Sequence, residues 1–236
     1  MKQFAIIGMS RFGQRVLDEL SQVECEILII DKDPEIIEKS KDKATNAVIA
    51  NVINEDTIRK LVPSTIDAAI IDLGERLEAS VLVTNYLKKL GIREIIAKAE
   101  TDEHAEILNI VGASQIIFPN REAAIRIVPG LVSSVLFNYL PISNGLVIAE
   151  VKVPKKLTGM SLIEADLRRR FGLNVIAIRE EIGDYNFFDP EHKLSENDVF
   201  LVAGSEERIA AFSGKKLVTK KKSIGQIFKN FFRRSG

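Results

Sequence analysis

Residues 6–16 read Ile6-Ile7-Gly8-Met9-Ser10-Arg11-Phe12-Gly13-Gln14-Arg15-Val16, or IIGMSRFGQRV. An apolar β-branched run enters a glycine turn, and a helix-period segment leaves it. Gly8 permits the tight turn, and Gly13 lets the helix lie close on the first strand. The amides at the helix start then point toward a bound phosphate. Ser10 stands where the dinucleotide fingerprint has its middle glycine, and Arg11 follows it. The serine puts a Cβ where a backbone approaches a pyrophosphate most closely, yet its hydroxyl can donate to a phosphate oxygen. Arg11 adds a fork-shaped donor that suits an extra phosphate. A turn that needs glycine for its shape alone is the alternative reading.

Six apolar runs read as buried strands: FAIIG (4–8), EILIID (26–31), NAVIA (46–50), DAAIID (67–72), EIIAKA (94–99) and SQIIF (114–118). Their non-alternating, β-branched character suits a parallel sheet covered on both faces. Helical segments lie between them, with Asp33-Pro34 opening the second and Gly91 and Gly112 closing later ones. The fold class is therefore α/β, a Rossmann-like doubly wound parallel sheet over residues 1–119, followed by a small α+β domain. Residues 120–141 read as a long helical segment that ends at Pro141. The second domain spans 142–214, with strands near 146–153, 173–179 and 198–203, a helix near 161–170 and a closing helix near 205–213. Residues 215–236 form a tail.

The chain has 236 residues, of which 46% are hydrophobic, enough for a sizeable core. No apolar run is long enough to span a bilayer, and the N-terminus lacks signal-peptide flanks. The single cysteine, Cys25, excludes an internal disulfide and fits a reducing cytoplasm. Two histidines and one cysteine do not make an ordinary zinc site. Net charge is zero, but its distribution is lopsided: the tail carries eight lysines and arginines and no acid, which leaves the rest acidic.

Asp31 ends the second strand, where a carboxylate accepts hydrogen bonds from ribose hydroxyls and disfavours a 2′-phosphate. Asp33 reads as a helix N-cap. Asn51 follows the third strand, where it either reads an adenine edge or is an ordinary turn residue. No nucleophile elbow, zinc-protease motif or paired catalytic carboxylates occur, so no catalytic residue is assigned. His104, in the polar stretch TDEHAEIL, and His192, in a loop, read as surface residues.

The stretches FAIIGMSRFGQRV, ILIIDKD, AVIANVINEDTIRKL, AAIIDLGERLEASVLVTNYLKKLGI and EIIAKAETDEHAEILNIVGASQIIFP strongly resemble the RCK (KTN) domain of Ktr/Trk-type potassium-uptake regulators. The resemblance runs from residue 3 to about residue 213. It implies a cytosolic gating subunit, not an enzyme. Such subunits form a ring, typically an octamer, beneath an integral-membrane potassium transporter, and ATP and ADP compete for the Rossmann cleft, with NAD or NADH as further ligands. By this likeness Gly8, Met9, Ser10, Arg11, Phe12 and Gly13 form the phosphate turn, and Arg11 reaches the terminal phosphate. Asp31 and Lys32 lie at the ribose, Asn51 and Val52 border adenine, and Asp72, Leu73, Gly74, Glu75 and Lys98 line the phosphate side. The family's usual glycine is Ser10 here, and the acidic residue that commonly follows FP is Asn120, so no metal site is carried over.

The stretch GMSLIEADLRRRFGLNVIAIREE resembles the family's C-terminal ligand domain, which binds cyclic di-AMP between two subunits. Leu162, Ile163, Asp166, Arg168 and Asn174 match that pocket; Arg170 and Glu181 depart from it. The alternative makes Leu162 and Ile163 core and the arginines a solvated helix face. An oxidoreductase or a stand-alone NAD redox sensor are the competing functions. No helix-turn-helix supports a nucleic-acid partner.

In the tail, Ile224, Ile227, Phe228, Phe231 and Phe232 share one helical stripe flanked by lysines and arginines. Such a pattern suits the anionic inner face of the cell membrane or a groove on the membrane partner. A solubilising tail packed on its own body is the alternative.

Overall fold

A computed structural model describes residues 1–131, 136–143, 145–180, 183–186 and 189–214. The chain divides into two compact units, Met1–Arg121 and Glu122 onward. The first is built from β1 (Lys2–Ile7), α1 (Arg11–Leu20), β2 (Cys25–Asp31), α2 (Pro34–Ser40), β3 (Asn46–Ile49), α3 (Glu55–Leu61), β4 (Ala68–Ile71), α4 (Leu77–Lys89), β5 (Glu94–Lys98), α5 (Asp102–Val111) and β6 (Gln115–Ile117). The strands are parallel and lie in the order β3-β2-β1-β4-β5-β6. Chain direction across the sheet reverses between β1 and β4, and that switch point opens a crevice beyond the strands' carboxyl ends.

Both faces are buried at the central strands β2, β1, β4 and β5, which is why these are apolar without alternation. The edge strands β3 and β6, expected to be buried, are only partly so. Ile6, Ile29 and Ile70 pack with Leu17 of α1 and Ile37 of α2 on one face. Ala5, Ile7, Ile30 and Ile71 pack with Ile58, Val83, Leu87 and Leu108 of α3, α4 and α5 on the other. Asp33 is the N-cap of α2, with its carboxylate accepting from the amides of Glu35 and Ile36. Gly112 ends α5 at φ 121°, a conformation that residues with a Cβ avoid.

The second unit contains most of α6 (Pro119–Leu131), then β7 (Leu136–Ser143), β8 (Leu146–Lys152), α7 (Leu162–Ala165), α8 (Leu167–Phe171), β9 (Asn174–Arg179), β10 (Val199–Gly204) and α9 (Glu206–Phe212). Its sheet runs β7-β8-β10-β9, and all three pairings are antiparallel. Val147, Ala149 and Val151 on β8 alternate with more exposed residues and join Phe200, Val202, Leu167, Leu173, Ile209 and Phe212 in a one-sided core.

Two sequence expectations are corrected here. The helix expected over 120–141 stops at Leu131, and residues 136–143 form β7. Pro129, inside the last turns of α6, removes a backbone donor, and Gly130 weakens the helix further. Pro141 is tolerated because β7 is an edge strand. The helix expected near 161–170 is broken in two at Asp166, which takes a left-handed conformation (φ 37°) and serves as C-cap of α7 and N-cap of α8.

Candidate functional site

The site begins with the loop from β1 to α1. Gly8 has φ 87°, and a Cβ there would lie 2.2 Å from the Asp72 carbonyl oxygen. A Cβ on Gly13 would lie 2.5 Å from the Gly8 carbonyl oxygen. Both glycines are therefore demanded by close backbone approach. Ser10 sits at the N-cap of α1 with φ −72°, which any residue can adopt. Its hydroxyl makes no capping bond within the helix; it donates to Oδ2 of Asp72.

Asp72, just past β4, is 1% exposed. Its Oδ2 also accepts from the Gly13 amide at 2.8 Å, and its Oδ1 accepts from the Gly74 amide at 3.4 Å. Lys98, at the end of β5, places Nζ 3.3 Å from that Oδ1 and 2.8 Å from Oε1 of Glu100. Burial works to lower the Lys98 pKa, but the Glu100 and Asp72 carboxylates together outweigh it and hold the ammonium above its ordinary value.

Across the crevice, Asp31 accepts from the Met9 amide at 2.7 Å and from the Asp33 amide at 2.9 Å. Asn51 accepts from the Ile53 amide at 3.3 Å, so it does form the turn that its position suggests. Met9, Ser10, Asp31, Lys32, Asn51, Val52, Asp72, Leu73 and Gly74 all border one cleft of about 130 Å³. That volume is well below a closed ligand pocket of roughly 300 Å³ or more, so the cleft is a shallow, open one.

Of the other expected residues, Gly8 and Gly13 shape the turn behind the cleft, and Phe12 packs into the core beneath α1. Arg11 and Glu75 are exposed, and Lys98 reaches the site through Asp72. The sequence reading missed Arg76, which lines the cleft from the start of α4 with no ion pair to any described residue. It also missed that His104 is buried. Ser80 Oγ donates to the Leu77 carbonyl and lies 2.7 Å from His104 Nε2, while His104 Nδ1 faces the Glu100 amide at 3.4 Å. That arrangement fixes a neutral Nε2–H tautomer, and burial lowers the imidazole pKa against the opposing pull of Glu100.

In the second unit, Ser161 and Glu164 close a reciprocal capping box at the start of α7. Ile163, one residue beyond Leu162, is 65% exposed, which overturns the core alternative for it; Leu162 is partly buried against the core. Asp166 lies at the α7–α8 junction, where its carboxylate accepts from the Arg169 amide at 3.4 Å. Arg168 and Asn174 are exposed on α8 and at the start of β9. Glu181 and the tail 215–236 lie outside the described residues.

A TrkA-N domain model matches residues 4–119 and a TrkA-C domain model residues 146–215. The chain is 32% identical over 221 residues to Ktr system potassium uptake protein C of Bacillus subtilis (strain 168), covering 93% of this chain and 99% of that protein. The chain belongs to the TrkA-N/TrkA-C family of Ktr potassium uptake proteins. It is likewise 32% identical to the Ktr system potassium uptake protein A of the same organism, over 89% of this chain and 95% of that one. Among solved structures it is similar to a GsuK channel bound to NAD, with a TM-score of 0.64 at 19% identity over 89% of this chain and 38% of that one. No described helix is long and apolar enough to cross a membrane.

Proposed function

We propose that this chain is the nucleotide-sensing regulatory subunit of a potassium transporter or channel, peripheral at the cytoplasmic face of the membrane. The observation that carries the reading is the cleft at the β1/β4 switch point, with Asp31 on one side and the start of α1 on the other, in a chain collinear with Ktr potassium uptake proteins. The amides of the first helical turn suit phosphate oxygens, and the Asp31 carboxylate suits ribose hydroxyls. ATP and ADP are the proposed exchanging ligands, with NAD or NADH as competitors. Arg11, exposed at the head of α1, supplies the donor for the terminal phosphate.

Regulation of a membrane partner requires assembly, and a ring of identical subunits is proposed. Ile107 and Ile110 of α5 and Leu82 of α4 present apolar side chains to solvent, as do Ile125, Val128 and Leu131 of α6. Such surfaces suit subunit contacts. Cyclic di-AMP is the proposed second ligand, at Leu162, Ile163, Asp166, Arg168 and Asn174. The tail is proposed to hold the assembly at the anionic membrane surface.

The test is thermal stabilisation of the purified chain by ATP, ADP, NAD and NADH, which rises with the ratio of ligand to dissociation constant. Saturable stabilisation with every ligand recovered unchanged is expected. Hydride transfer from NADH, or no stabilisation by any of the four, contradicts the proposal.

A further inference from the structure

Among the described residues of the first unit, Asp72 is the one buried acidic side chain. The Ser10 hydroxyl and the Gly13 amide both hold its Oδ2. Gly13 is the third residue of α1, so this carboxylate sits at the positive end of the helix, where a phosphate would otherwise gather amides. Lys98 does not cancel it, because the same ammonium is shared with Glu100 at 2.8 Å. Two carboxylates and one ammonium leave a fixed negative charge beside the phosphate end of the cleft.

We propose that Asp72 is a specificity-determining residue of the cleft, setting its preference against nucleotides with the longer phosphate chain. The proposal rests on the reading of this cleft as an adenine-nucleotide site. ATP carries more negative charge than ADP, and repulsion from a fixed carboxylate grows as the surroundings dry. Ser10 has a defined part in this device: with glycine there, Oδ2 would keep the Gly13 amide but lose its hydroxyl donor. The serine that interrupts the glycine pattern is thus the tether that keeps the carboxylate aimed at the helix start. Arg76 and Lys32 line the same cleft and supply the opposing attraction.

Isothermal titration of the full chain with ATP and with ADP tests this in wild type, D72N, K98Q and D72N/K98Q. Asparagine keeps the size of Asp72 and an acceptor for Gly13 while removing the charge. D72N is expected to improve ATP binding relative to ADP by about tenfold, and K98Q to shift the ratio the other way. The double variant exchanges an ion pair for a neutral pair, and its ratio is expected within about threefold of wild type. An unchanged ATP/ADP ratio in D72N overturns the proposal. So does a double variant as poor for ATP as K98Q alone, since Lys98 would then set the preference by touching phosphate itself. If D72N and the double variant fail to fold, K98Q decides: an ATP/ADP ratio unchanged from wild type in K98Q overturns the proposal. Wild type that binds neither nucleotide overturns the nucleotide reading of the cleft, and this inference falls with it; normal binding with an unmoved ratio removes the inference alone.

Discussion

The backbone amide of Met9 donates to Oδ2 of Asp31 at 2.7 Å, so the side chain that ends β2 fixes the turn that ends β1. The other oxygen, Oδ1, holds the Asp33 amide just before α2. One carboxylate therefore sets the shape of the loop and, on the proposed reading, receives the ribose. Asp31→Ala is expected to weaken ATP, ADP and NADH alike, by roughly tenfold to a hundredfold. Arg11→Ala is expected to weaken ATP more than ADP, by about tenfold, because the charge-assisted contact proposed for it reaches only the longer phosphate chain. Titration calorimetry on both variants checks the contrast; equal losses of ATP and ADP in Arg11→Ala would remove that arginine from sensing.

Two glycines with positive φ should respond differently to alanine. At Gly8 the new Cβ would meet the Asp72 carbonyl oxygen at 2.2 Å, whereas at Gly74 (φ 64°) nothing lies within 4 Å. Gly8→Ala is expected to cost about 3 kcal/mol or more, and Gly74→Ala about 1 kcal/mol from backbone strain alone. Denaturant unfolding of the two variants measures the difference.

His104 gives the first unit a pH dependence whose sign follows from its burial. Burial lowers its pKa below the ordinary 6.5, so the unfolded chain binds a proton that the folded chain resists. Stability is unaffected above that value and falls as pH drops through it toward the lowered folded pKa. The charged groups beside it are the Glu100 carboxylate, which resists the shift, and Lys98, which neutralises part of that carboxylate. His104→Gln keeps a donor for Ser80 and has no proton to gain, so its melting temperature should fall less than wild type's between pH 7 and about 5.5. Parallel melting curves for the two proteins would contradict the assignment.

Sequence and structure agree most closely where burial is two-sided. The central strands β2, β1, β4 and β5 are written as continuous apolar runs because helices cover both faces, whereas the edge strands β3 and β6 are only partly buried, with Ile49 exposed. The second unit is harder to read, since β7 mixes Leu136 and Tyr139 with exposed Phe137, Leu140 and Ile142 on an edge strand. The break at Asp166 escapes periodicity because a single left-handed aspartate leaves the apolar spacing intact. Ser10 and Asp72 are each legible as candidates in the sequence, but their contact joins residues far apart in the chain and follows only from the pairing of β1 with β4. His104 is buried although its neighbours in TDEH are polar, because Ser80 on α4 meets it across the helix pair. Arg76 carries no motif, and only the fold brings it to the cleft.

The tail lies outside the described residues, and its prediction comes from its sequence. Its apolar stripe and flanking lysines and arginines should bind anionic vesicles in a salt-sensitive way. Removal of residues 216–236 is expected to abolish co-sedimentation with vesicles rich in phosphatidylglycerol and to leave nucleotide binding unchanged. Undiminished sedimentation of the truncated chain would assign membrane contact elsewhere.

On the proposed reading this chain controls potassium transport through nucleotide binding, and ion uptake reads that control. Potassium-depleted cells of the source organism that lack the chain are supplied with wild type or Asp31→Ala, and the initial rate of rubidium uptake is measured. Wild type is expected to restore uptake several-fold over the deletion, and Asp31→Ala to restore distinctly less at equal protein level. Uptake that is the same with and without the chain would contradict the account.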